Sequence, residues 1–456
     1  MVRRHSLIAR ILALAGVPAL VLAGCAGNSK AAGDGGPANE GTVHWWSWTP
    51  DNDLAEREIA AFNRQYPNIK VIYKKVPNND YTAVLRPALA SEDGPDVFTV
   101  SASGTTGAVG VFASYALDLT PKTEELLGKD WQSKVDEQST KAFSKDGKLA
   151  AFPWAKVAAG NMWINQGLFD KYHLKPPKTL AEWTQVCKTF RANGLGCLKE
   201  GAGAGFDVDT FHSIVNSVQP GLFLKAAHGE AKWTDPGIVE AYRIFGQLEG
   251  AGILDPGAVG IQQYPDVNNA FLSGKVPMVQ MGSWYAQYAT VDSLQAALAG
   301  AGVPANTPKI TIAPIAFPDV AGKGNPSTVF ADPDAAQAVN AKSKVRNAAT
   351  TFALWLGGSK EGQAAVSNNV DSLPTLKGVT ADWDSIKLVN PTVQKPLLVD
   401  LYKQAAETTE SRTGLLPAVN VQALLDANQA VLTHKQSPEQ AAASVQKVFD
   451  ANPVSG

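Results

Sequence analysis

The sequence predicts an α/β protein built as two lobes. From position 42 to position 100, strand-like runs of β-branched and aromatic residues alternate with amphipathic helical patterns in the order β-α-β-α-β. This order is typical of a parallel sheet covered by helices. A second unit of this kind begins near Ala151. The roughly 415 residues after position 41 exceed what one ordinary core accommodates, so two domains are expected.

Local signals define the elements of the first unit. A run rich in Trp and β-branched residues precedes a helix with Asp53 as N-cap and Glu56 three residues later, which is the spacing of a capping box. Pro67 ends that helix, because proline lacks the N–H that a helix interior needs. The predicted elements are a strand at 42–48, this first helix, a strand at 69–73, a helix at about 81–91 and a strand at 96–100.

The rest of the chain continues the alternation and ends in helices. The last helix begins at Ser437-Pro438, a cap residue followed by proline at the first helical position. The predicted elements are strands at 161–165, 277–281 and 309–312, helices at about 180–192 and 238–249, a helix with Val345, Ala349, Phe352 and Leu356 on one face, and a largely helical part from about Gln363.

The N-terminus has the pattern of an export signal. Arg3 and Arg4 form a positive start, and residues 11–23 lack charge. This apolar run is shorter than the about 20 residues that a membrane-spanning helix needs, and it fits a secretory signal. It ends in Leu22-Ala23-Gly24-Cys25, which resembles the lipobox of bacterial lipoproteins. The resemblance implies a signal peptide at 1–24 and a lipid on Cys25; the alternative is a buried helix that happens to end in Cys.

Charge and composition limit the partners of the mature chain. Residues 25–41 are rich in Gly and Ala, so we expect a flexible tether that holds a soluble domain near the membrane. The chain has a formal net charge of −2, and removing Arg3, Arg4 and Arg10 with the signal leaves about −5. Nucleic-acid binding needs a basic face, so no nucleic-acid partner is expected.

Cys187 and Cys197 are the cysteines that remain after Cys25. In an oxidising compartment this pair could close a disulfide across a helix and the following turn. The alternative is two buried free thiols. Neither cysteine belongs to a CxxC motif, and the six histidines show no HExxH or ligand spacing, so no metal or cofactor is expected.

A series of motifs resembles extracellular solute-binding proteins of the sugar type. The series begins with Trp45-Trp46-Ser47-Trp48, Ala61-Phe62-Asn63, Tyr66-Pro67-Asn68-Ile69-Lys70-Val71 and Gly94-Pro95-Asp96-Val97. It continues with Phe152-Pro153-Trp154, Trp163-Ile164-Asn165, Leu168-Phe169, Phe271-Leu272-Ser273-Gly274-Lys275, Met278, Gly282-Ser283-Trp284 and Val339-Asn340-Ala341-Lys342-Ser343 with Ala348-Ala349 and Phe352. Each motif alone is weak evidence, but the series spans nearly all of the mature chain in order.

The resemblance implies a two-lobed, periplasmic-binding-protein-like clamp in which each lobe holds a sheet flanked by helices. The ligand would lie in the cleft between the lobes, at the carboxyl ends of strands, and a hinge would close the clamp. One lobe would comprise 42–155 plus 310–362, and the other 156–309 plus 363–456. The implied function is to capture a mono- or oligosaccharide and deliver it to ABC transporter permease subunits, as a monomer anchored at the extracytoplasmic face of the membrane and without catalysis.

Tryptophans are the candidates for stacking on a sugar, because sugars present flat C–H patches to aromatic rings. Trp284 comes first, since it follows a predicted strand and resembles the family's stacking position. Trp48 lies just past the first strand, Trp154 at the predicted crossing between lobes, and Trp163 in the strand that follows. Each of these four could instead be a core tryptophan.

Polar candidates for the sugar hydroxyls follow the predicted strands. Ser101 and Ser103 come after the third strand, where the family places polar contacts. Thr49 and Asp51 precede the first helix, where Asp51 could also be part of a cap. The other candidates, each of which could instead be a solvated surface charge, are Lys156, Asp209 and Arg412. Residues 421–432 carry no aromatic ring, which departs from maltose-type members and argues against maltodextrin-like stacking.

Two alternatives stay open. An exported glycoside hydrolase would need two carboxylates about 5–10 Å apart in a cleft, and the 42 acidic residues do not exclude it. The same clamp could bind a glycerol phosphodiester, a polyamine or a peptide. A cationic ligand would need several acids in the cleft, and a phosphate would need Arg or Lys. The candidates are mostly aromatic and neutral, which favours a neutral polyol.

Overall fold

The strands of the chain divide into two main sheets. In the computed structural model, which describes residues 35–102, 104, 106–202, 205–304, 310–413 and 415–454, Cys25 and the signal peptide predicted at 1–24 lie outside the described residues. The strands are β1 (Gly41–Ser47), β2 (Ile69–Lys75), β3 (Val97–Ser101), β4 (Ser144–Lys145), β5 (Lys148–Leu149), β6 (Phe152–Ala159), β7 (Asn161–Asn165), β8 (Leu198–Lys199), β9 (Met278–Gln280), β10 (Ile312–Ala316), β11 (Phe330–Val339) and β12 (Leu373–Pro374).

The first sheet has the order β12-β6-β11-β3-β1-β2. β1 pairs in parallel with β2 and with β3, which confirms the parallel unit predicted at 42–100. β11 extends the sheet antiparallel to β3, and β6 pairs antiparallel with β11. Because β1, β2 and β3 are parallel, their carboxyl ends meet at one edge of the sheet.

The second sheet has the order β10-β7-β9-β8. β8 and β9 are parallel, so their carboxyl ends also share an edge, and β7 is antiparallel to both of its neighbours. β4 and β5 form a separate two-stranded ribbon. The second sheet therefore repeats the feature that matters for a site, which is a pair of parallel strands that end side by side.

Helices cover both sheets. They are α1 (Asn52–Asn63), α2 (Tyr81–Ala90), α3 (Val109–Phe112), α4 (Thr120–Leu127), α5 (Trp131–Lys134), α6 (Glu137–Ala142), α7 (Gln166–Lys171), α8 (Leu180–Ala192), α9 (Asp207–Val218), α10 (Leu222–Ala227), α11 (Pro236–Gln247), α12 (Asn268–Leu272), α13 (Val291–Gly300), α14 (Arg346–Gly358), α15 (Lys360–Asn369), α16 (Pro391–Glu407), α17 (Ala418–Leu432) and α18 (Pro438–Ala451). The capping box of α18 at Ser437 is confirmed. The N-cap of α1 is Asp51, so the prediction of Asp53 was wrong by two residues.

Sheet membership differs from the predicted lobe division. β10 lies in the second sheet, although the sequence assigns 310–362 to the first lobe, and the end of β6 and β12 lie in the first sheet. The chain leaves the first sheet at Gly160, whose φ of +91° is left-handed and where a Cβ would lie 2.2 Å from the Thr328 carbonyl oxygen. Glycine permits this turn, so β6 runs four residues further than the predicted boundary at 155 before the chain crosses.

Each sheet has a buried core beside it, and a further buried cluster is shared by residues of both sheets, among them Ala158, Ala331, Trp163 and Ile312. Trp45, Phe62 and Phe352 lie fully buried beside the first sheet, and Phe169 and Trp183 lie fully buried beside the second. Within the described part of the chain, no helix is both long enough and apolar enough to cross a membrane. The two cores therefore hold two layered α/β bodies, with the carboxyl edges of their parallel strands available to face a ligand.

Candidate ligand-binding site

Segments that follow the parallel strands of the two sheets contact one another. The Tyr288 hydroxyl, shortly after β9, donates to Asp51 Oδ2, shortly after β1, at 3.1 Å. The Asn79 amide, after β2, donates to Gln262 Oε1 at 3.1 Å. These contacts join the carboxyl edges of the two sheets, which is where open α/β sheets bind ligands.

Trp284 is the central aromatic side chain of this region. It follows β9, and its partly buried indole donates its N–H to the Tyr264 hydroxyl at 3.1 Å. The Arg412 guanidinium carbon lies 5.0 Å from the centre of the indole ring, within the range of a cation–π contact. Phe206 packs edge-on with a centroid distance of 6.2 Å. These three neighbours fix the plane of the indole.

Gly282 allows the Trp284 ring to fold back over its own chain. A Cβ at position 282 would lie 2.0 Å from the Trp284 ring and 2.3 Å from the Ala158 carbonyl oxygen. Both distances are far shorter than van der Waals contact, so any larger side chain would push the indole out of place. This requirement explains why glycine stands two residues before the tryptophan.

Arg412 and Asp209 form a two-point ion pair beneath Trp284. Arg412 Nε donates to Asp209 Oδ1 at 2.7 Å and Arg412 Nη2 to Asp209 Oδ2 at 2.6 Å. Burial lowers the pKa of Arg412, but the charge and hydrogen bonds of Asp209 outweigh burial and raise it above its ordinary value. Arg412 therefore keeps its charge, and its two-point contact with Asp209 is rigid, which suits a group that orients a ring above it.

Two more carboxylates from β11 lie next to this pair. Asp332 accepts hydrogen bonds from the backbone N–H groups of Arg412 (3.0 Å) and Thr413 (2.9 Å), from the Thr413 hydroxyl (2.9 Å) and from the Ser411 hydroxyl. Burial raises the pKa of Asp334 to about 6, with Arg412 lowering it and Asp332 raising it again. The oxygens of Asp332 are thus occupied by hydrogen bonds within the protein, whereas Asp334 accepts no side-chain hydrogen bond from the described residues.

The segment after β1 contributes Trp48, Thr49 and Asp51. Trp48 is partly exposed and meets Tyr81 edge-on at a centroid distance of 5.0 Å. The Thr49 hydroxyl lies 3.5 Å from Asp371 Oδ2, and Asp51 also accepts a hydrogen bond from Lys75. Burial, followed by the nearby charge of Asp51, raises the pKa of Asp371 to about 7. This segment adds a second aromatic ring and further acids to the region.

Trp154 and Trp163 are core residues, which corrects their assignment as ligand contacts. Both rings are fully buried. Trp154 packs against Trp45 at 5.9 Å in the first core, and the Trp163 indole donates to the Met281 and Gly282 carbonyl oxygens at 3.0 Å each. A ring without exposed surface cannot stack on a ligand. The alternative that both are core tryptophans is the one the structure favours.

Ser101 and Lys156 have partners within the protein. The Ser101 hydroxyl, 8% exposed, donates to the Thr106 carbonyl oxygen, and Lys156 Nζ lies 2.9 Å from Asp136 Oδ2. We therefore leave both out of the proposed site. Ser103 lies outside the described residues. Cys187 and Cys197 are joined by a disulfide, with 5.2 Å between their Cα atoms.

Sequence reasoning missed several residues of the site. They are Phe206, Tyr264, Tyr288, Asp332, Asp334 and Asp371. Asp332 and Asp334 lie on either side of Pro333 within a strand that the sequence did not predict. Two acids separated by a single proline were the one sequence signal that could have marked these residues as site candidates. Among the described residues, no group of three or more His, Cys, Asp or Glu could hold a metal ion.

Two curated relatives each match about half of the chain. MelE, the melibiose/raffinose/stachyose-binding protein of Bacillus subtilis strain 168, is 25% identical over 215 residues, 47% of this chain and 47% of MelE. An uncharacterized ABC transporter extracellular-binding protein of Pyrococcus horikoshii is 24% identical over 238 residues, 50% of this chain and 52% of that protein. The chain thus spans about half the length of the curated relatives it matches.

Solved structures match over nearly the whole chain. Maltose-bound MalE3 of T. maritima is 18% identical with a TM-score of 0.66, over 90% of this chain and 99% of that chain. The GacH receptor of Streptomyces glaucescens, solved unliganded and with acarbose, is 20% identical with a TM-score of 0.66, over 90% and 98%. These likenesses show the two-lobed fold of periplasmic binding proteins. The family model of the bacterial extracellular solute-binding proteins matches residues 58–395, so the chain belongs to that family.

Proposed function

We propose that the protein captures a carbohydrate outside the cell and delivers it to the permease of an ABC importer. The observation that carries the proposal is the partly exposed indole of Trp284, which follows the carboxyl end of β9. Its orientation is fixed by a hydrogen bond to Tyr264 and a cation–π contact with Arg412. A fixed aromatic ring next to carboxylates is what a sugar needs, because the ring covers a C–H face and the oxygens accept from hydroxyls. The proposed contacts are Trp48, Thr49, Asp51, Trp284, Arg412 and Asp334. Asp209 is 1% exposed and holds Arg412 in place, so it is not among them.

A sugar that carries an amino group is the second candidate. Asp209, Asp332 and Asp334 surround Arg412, so the group has more acids than bases, and the pKa of Asp334 is raised to about 6 by burial. An ammonium group on the ligand would offset this excess of negative charge. The same observation argues against a phosphodiester ligand, which would add charge of the wrong sign.

We propose that the protein binds without catalysis. A glycosidase needs one carboxyl group free to donate a proton and a second free to act as base or nucleophile. Asp209 is held by both nitrogens of Arg412, and Asp332 accepts four hydrogen bonds. Neither of these two carboxylates is free for these roles. Asp334 is the one carboxyl of the group around Arg412 that accepts no side-chain hydrogen bond from the described residues, and a single free carboxyl does not provide the required pair.

The location and organisation of the protein follow from the same proposal. Membership of an extracellular family, together with the lipobox-like 22–25, supports a lipid anchor on Cys25 at the extracytoplasmic face of the membrane. We propose a monomer whose two lobes follow the predicted division, with β10 moved to the second lobe and β12 to the first.

A thermal-shift screen of the mature protein tests the function. The panel would contain neutral mono- and oligosaccharides, amino sugars, spermidine and glycerol phosphodiesters. A ligand that binds only the folded form raises the unfolding free energy by about 2.7 kcal/mol at 100 times its Kd, so we expect one sugar class to raise the melting temperature by several degrees.

The result needs two checks. Chromatography of the sugar after overnight incubation should show that it is not cleaved. Asp334→Asn should weaken the binding of an amino sugar more than the binding of its neutral analogue. Cleavage of the sugar would overturn the proposal of a binding protein, and a panel in which spermidine alone stabilises the protein would overturn the carbohydrate assignment.

A further inference from the structure

A buried histidine lies directly behind the Trp284–Arg412 group. His212, in the middle of α9, is 0% exposed. Its ring is sandwiched between Phe223, at 4.1 Å and 15°, and Phe330, at 4.1 Å and 7°. Two parallel phenyl faces at this distance leave the imidazole only its edge for polar contacts. The hydrogen bonds of His212 are therefore confined to its two ring nitrogens.

Both ring nitrogens face oxygen acceptors. Nδ1 lies 3.0 Å from the Arg412 carbonyl oxygen, and Nε2 lies 3.0 Å from Glu410 Oε1. A carbonyl oxygen cannot donate a hydrogen bond, and an ionised carboxylate cannot donate one either. A neutral imidazole carries a single N–H, so it can satisfy one of these two contacts but not both.

The surroundings of Glu410 keep its carboxylate ionised. The Asn216 amide donates to the same Oε1 at 2.7 Å, and its orientation is fixed because Asn216 Oδ1 accepts from the Gly221 N–H at 3.1 Å. Burial raises the pKa of Glu410, but the hydrogen bond and charge of His212 and the hydrogen bonds of Asn216 and Thr328 outweigh burial and hold it below its ordinary value. Glu410 thus acts as an acceptor only.

We propose that His212 is a doubly protonated imidazolium that fixes the backbone of Arg412 and, through it, the Trp284 ring. His212 is a positioning residue: it touches Arg412 O, Arg412 touches the indole, and the indole is the proposed ligand contact. The charge state stands on His212 and its partners alone, whereas the effect on affinity rests on the proposed function.

The elements around His212 carry more acidic than basic side chains. The charged groups on these elements are Asp207 and Asp209 on α9 itself, Asp332 and Asp334 on β11, Glu410 and Arg412 on the segment before α17, and the exposed Lys225 on α10. Acids outnumber bases in this set, and Arg412 is already paired with Asp209. The faces of two phenyl rings also attract a cation.

Loss of one proton would disturb the site in a predictable way. One ring nitrogen would then point a lone pair at an acceptor oxygen, and the resulting repulsion would release either the Arg412 carbonyl or Glu410. Because the Arg412 guanidinium is seated under Trp284, a shift of its backbone moves the indole. Ligand affinity should therefore be lower when the ring carries one proton than when it carries two.

Nitrogen NMR of the ligand-free, ¹⁵N-labelled mature protein tests the charge state. The His212 ring is assigned with His212→Gln, and the exposed His434 serves as an internal reference. At pH 7 we expect both His212 nitrogens to have the chemical shifts of protonated nitrogen. One protonated and one unprotonated nitrogen at that pH would overturn the proposal.

The Trp284 indole N–H signal, assigned with Trp284→Phe, tests the positioning role without any ligand. We expect this signal to move in His212→Gln and to stay in place in the matched control His434→Gln. An unmoved Trp284 signal in a His212→Gln protein that melts cooperatively would refute the positioning role. If that variant does not fold, the unmutated protein gives the test: a Trp284 signal that stays fixed while the His212 nitrogen shifts change with pH would also refute the role.

Affinity measurements separate this inference from the proposed function. For any sugar found by the screen, affinity should fall about two- to tenfold when His212 loses its proton, the range for one lost hydrogen bond, and His212→Gln should bind weakly with no such pH dependence. Absence of sugar binding in the unmutated protein would refute the proposed function, while the two NMR measurements would still decide the charge and the role of His212.

Discussion

At the scale of single residues, Arg412 connects the parts of the site. Its guanidinium is paired with Asp209 and lies under the Trp284 indole, its backbone N–H donates to Asp332, and its carbonyl accepts from His212. A buried ion pair gains little net stability because both charges lose water. The two-point geometry does fix direction, so we interpret Arg412 and Asp209 as groups that orient the indole and not as contributors to stability.

Trp284→Ala should weaken sugar binding by roughly 2 kcal/mol or more, as expected for an aromatic hot spot. The reason is that no other partly exposed ring of the region is held by both a hydrogen bond and a cation in the described contacts. Calorimetry measures the affinity, and Trp383→Ala is the matched control, since Trp383 is partly exposed and packs on Tyr402 at 5.2 Å in the buried cluster that both sheets share. Equal affinities for the Trp284 variant and the unmutated protein would remove Trp284 from the site.

Glu200→Gln should stabilise the protein at alkaline pH. Glu200 is 1% exposed, and its Oε2 has no hydrogen-bond partner among the described residues. Burial, followed by the charge of Asp207, raises its pKa from 4.5 to about 8. A raised pKa means that the folded state binds the proton more tightly than the unfolded state. The contribution of Glu200 to the unfolding free energy is therefore fully present below pH 4.5 and is lost as the pH rises to about 8.

Urea unfolding at pH 5 and pH 9 measures this effect. The quantity to compare is the unfolding free energy of Glu200→Gln minus that of the unmutated protein. This difference should be larger at pH 9 than at pH 5 by at least about 1 kcal/mol, since each unit of pKa shift corresponds to about 1.4 kcal/mol. The exposed Glu249→Gln serves as control and should show no such gain. A pH-independent difference between the Glu200 variant and the unmutated protein would show that Glu200 keeps an ordinary pKa in the fold.

At the scale of elements, the sequence predicted those whose signals are local. β1, β2 and β3 have continuous β-branched or aromatic runs bounded by caps and prolines, and they were found with the predicted parallel pairing. β11 was missed because its residues FADPDAAQAV contain proline and many alanines. Its strand conformation is imposed by pairing with β3 and β6, with a register shift beside Pro333, and such long-range pairing leaves little trace in a local pattern.

The candidate site was predictable only in part for the same reason. Trp284 and Trp48 lie just past strands, whereas Trp154 and Trp163 lie within strands, and only the tertiary packing decided that the latter two rings are buried on both faces. Arg412 and Asp209 were proposed separately, but their pairing joins residues 203 positions apart. No composition or spacing argument predicts that contact.

The disulfide should stabilise the second lobe through its short loop. Cys187 is on α8 and Cys197 lies just before β8, ten residues apart. Replacing both by alanine should lower the unfolding free energy by about 2–3 kcal/mol, because a loop of this size limits the unfolded chain. Reductant should lower the stability of the unmutated protein to that of the variant and leave the variant unchanged. Two titratable thiols in the unfolded, unreduced mature domain would show that the bond does not form.

At the scale of the whole molecule, polar contacts join the segments around the two sheets, in addition to the buried apolar cluster that both sheets share. Two of these contacts are the Tyr288–Asp51 and Asn79–Gln262 hydrogen bonds. In a third, Ser293 Oγ donates to Asp53 Oδ2 at 2.9 Å. All of them join segments around the first sheet to segments around the second. Water can take over the partners of such contacts when they open, so they are compatible with a clamp that opens and closes by a hinge motion. We expect these contacts to be made when the clamp is closed.

Tyr288→Phe should weaken ligand binding by shifting the clamp towards its open form. The variant keeps the ring and loses the hydrogen bond to Asp51, and a hydrogen bond to a charged group contributes about 1.5–3 kcal/mol. If closure is needed for binding, the apparent affinity falls with the closed population, and the loss appears mainly as a faster dissociation rate. Stopped-flow fluorescence of the tryptophans measures both rates.

Tyr285→Phe is the matched control for that measurement. It removes a hydroxyl that donates to Asn268 Oδ1 at 2.9 Å, and both residues belong to the same lobe. This control should lower the unfolding free energy without changing the dissociation rate, because it does not affect the contact between lobes. If the two variants change the dissociation rate equally, the Tyr288–Asp51 hydrogen bond does not report closure, and the closed form must be stabilised by the ligand alone.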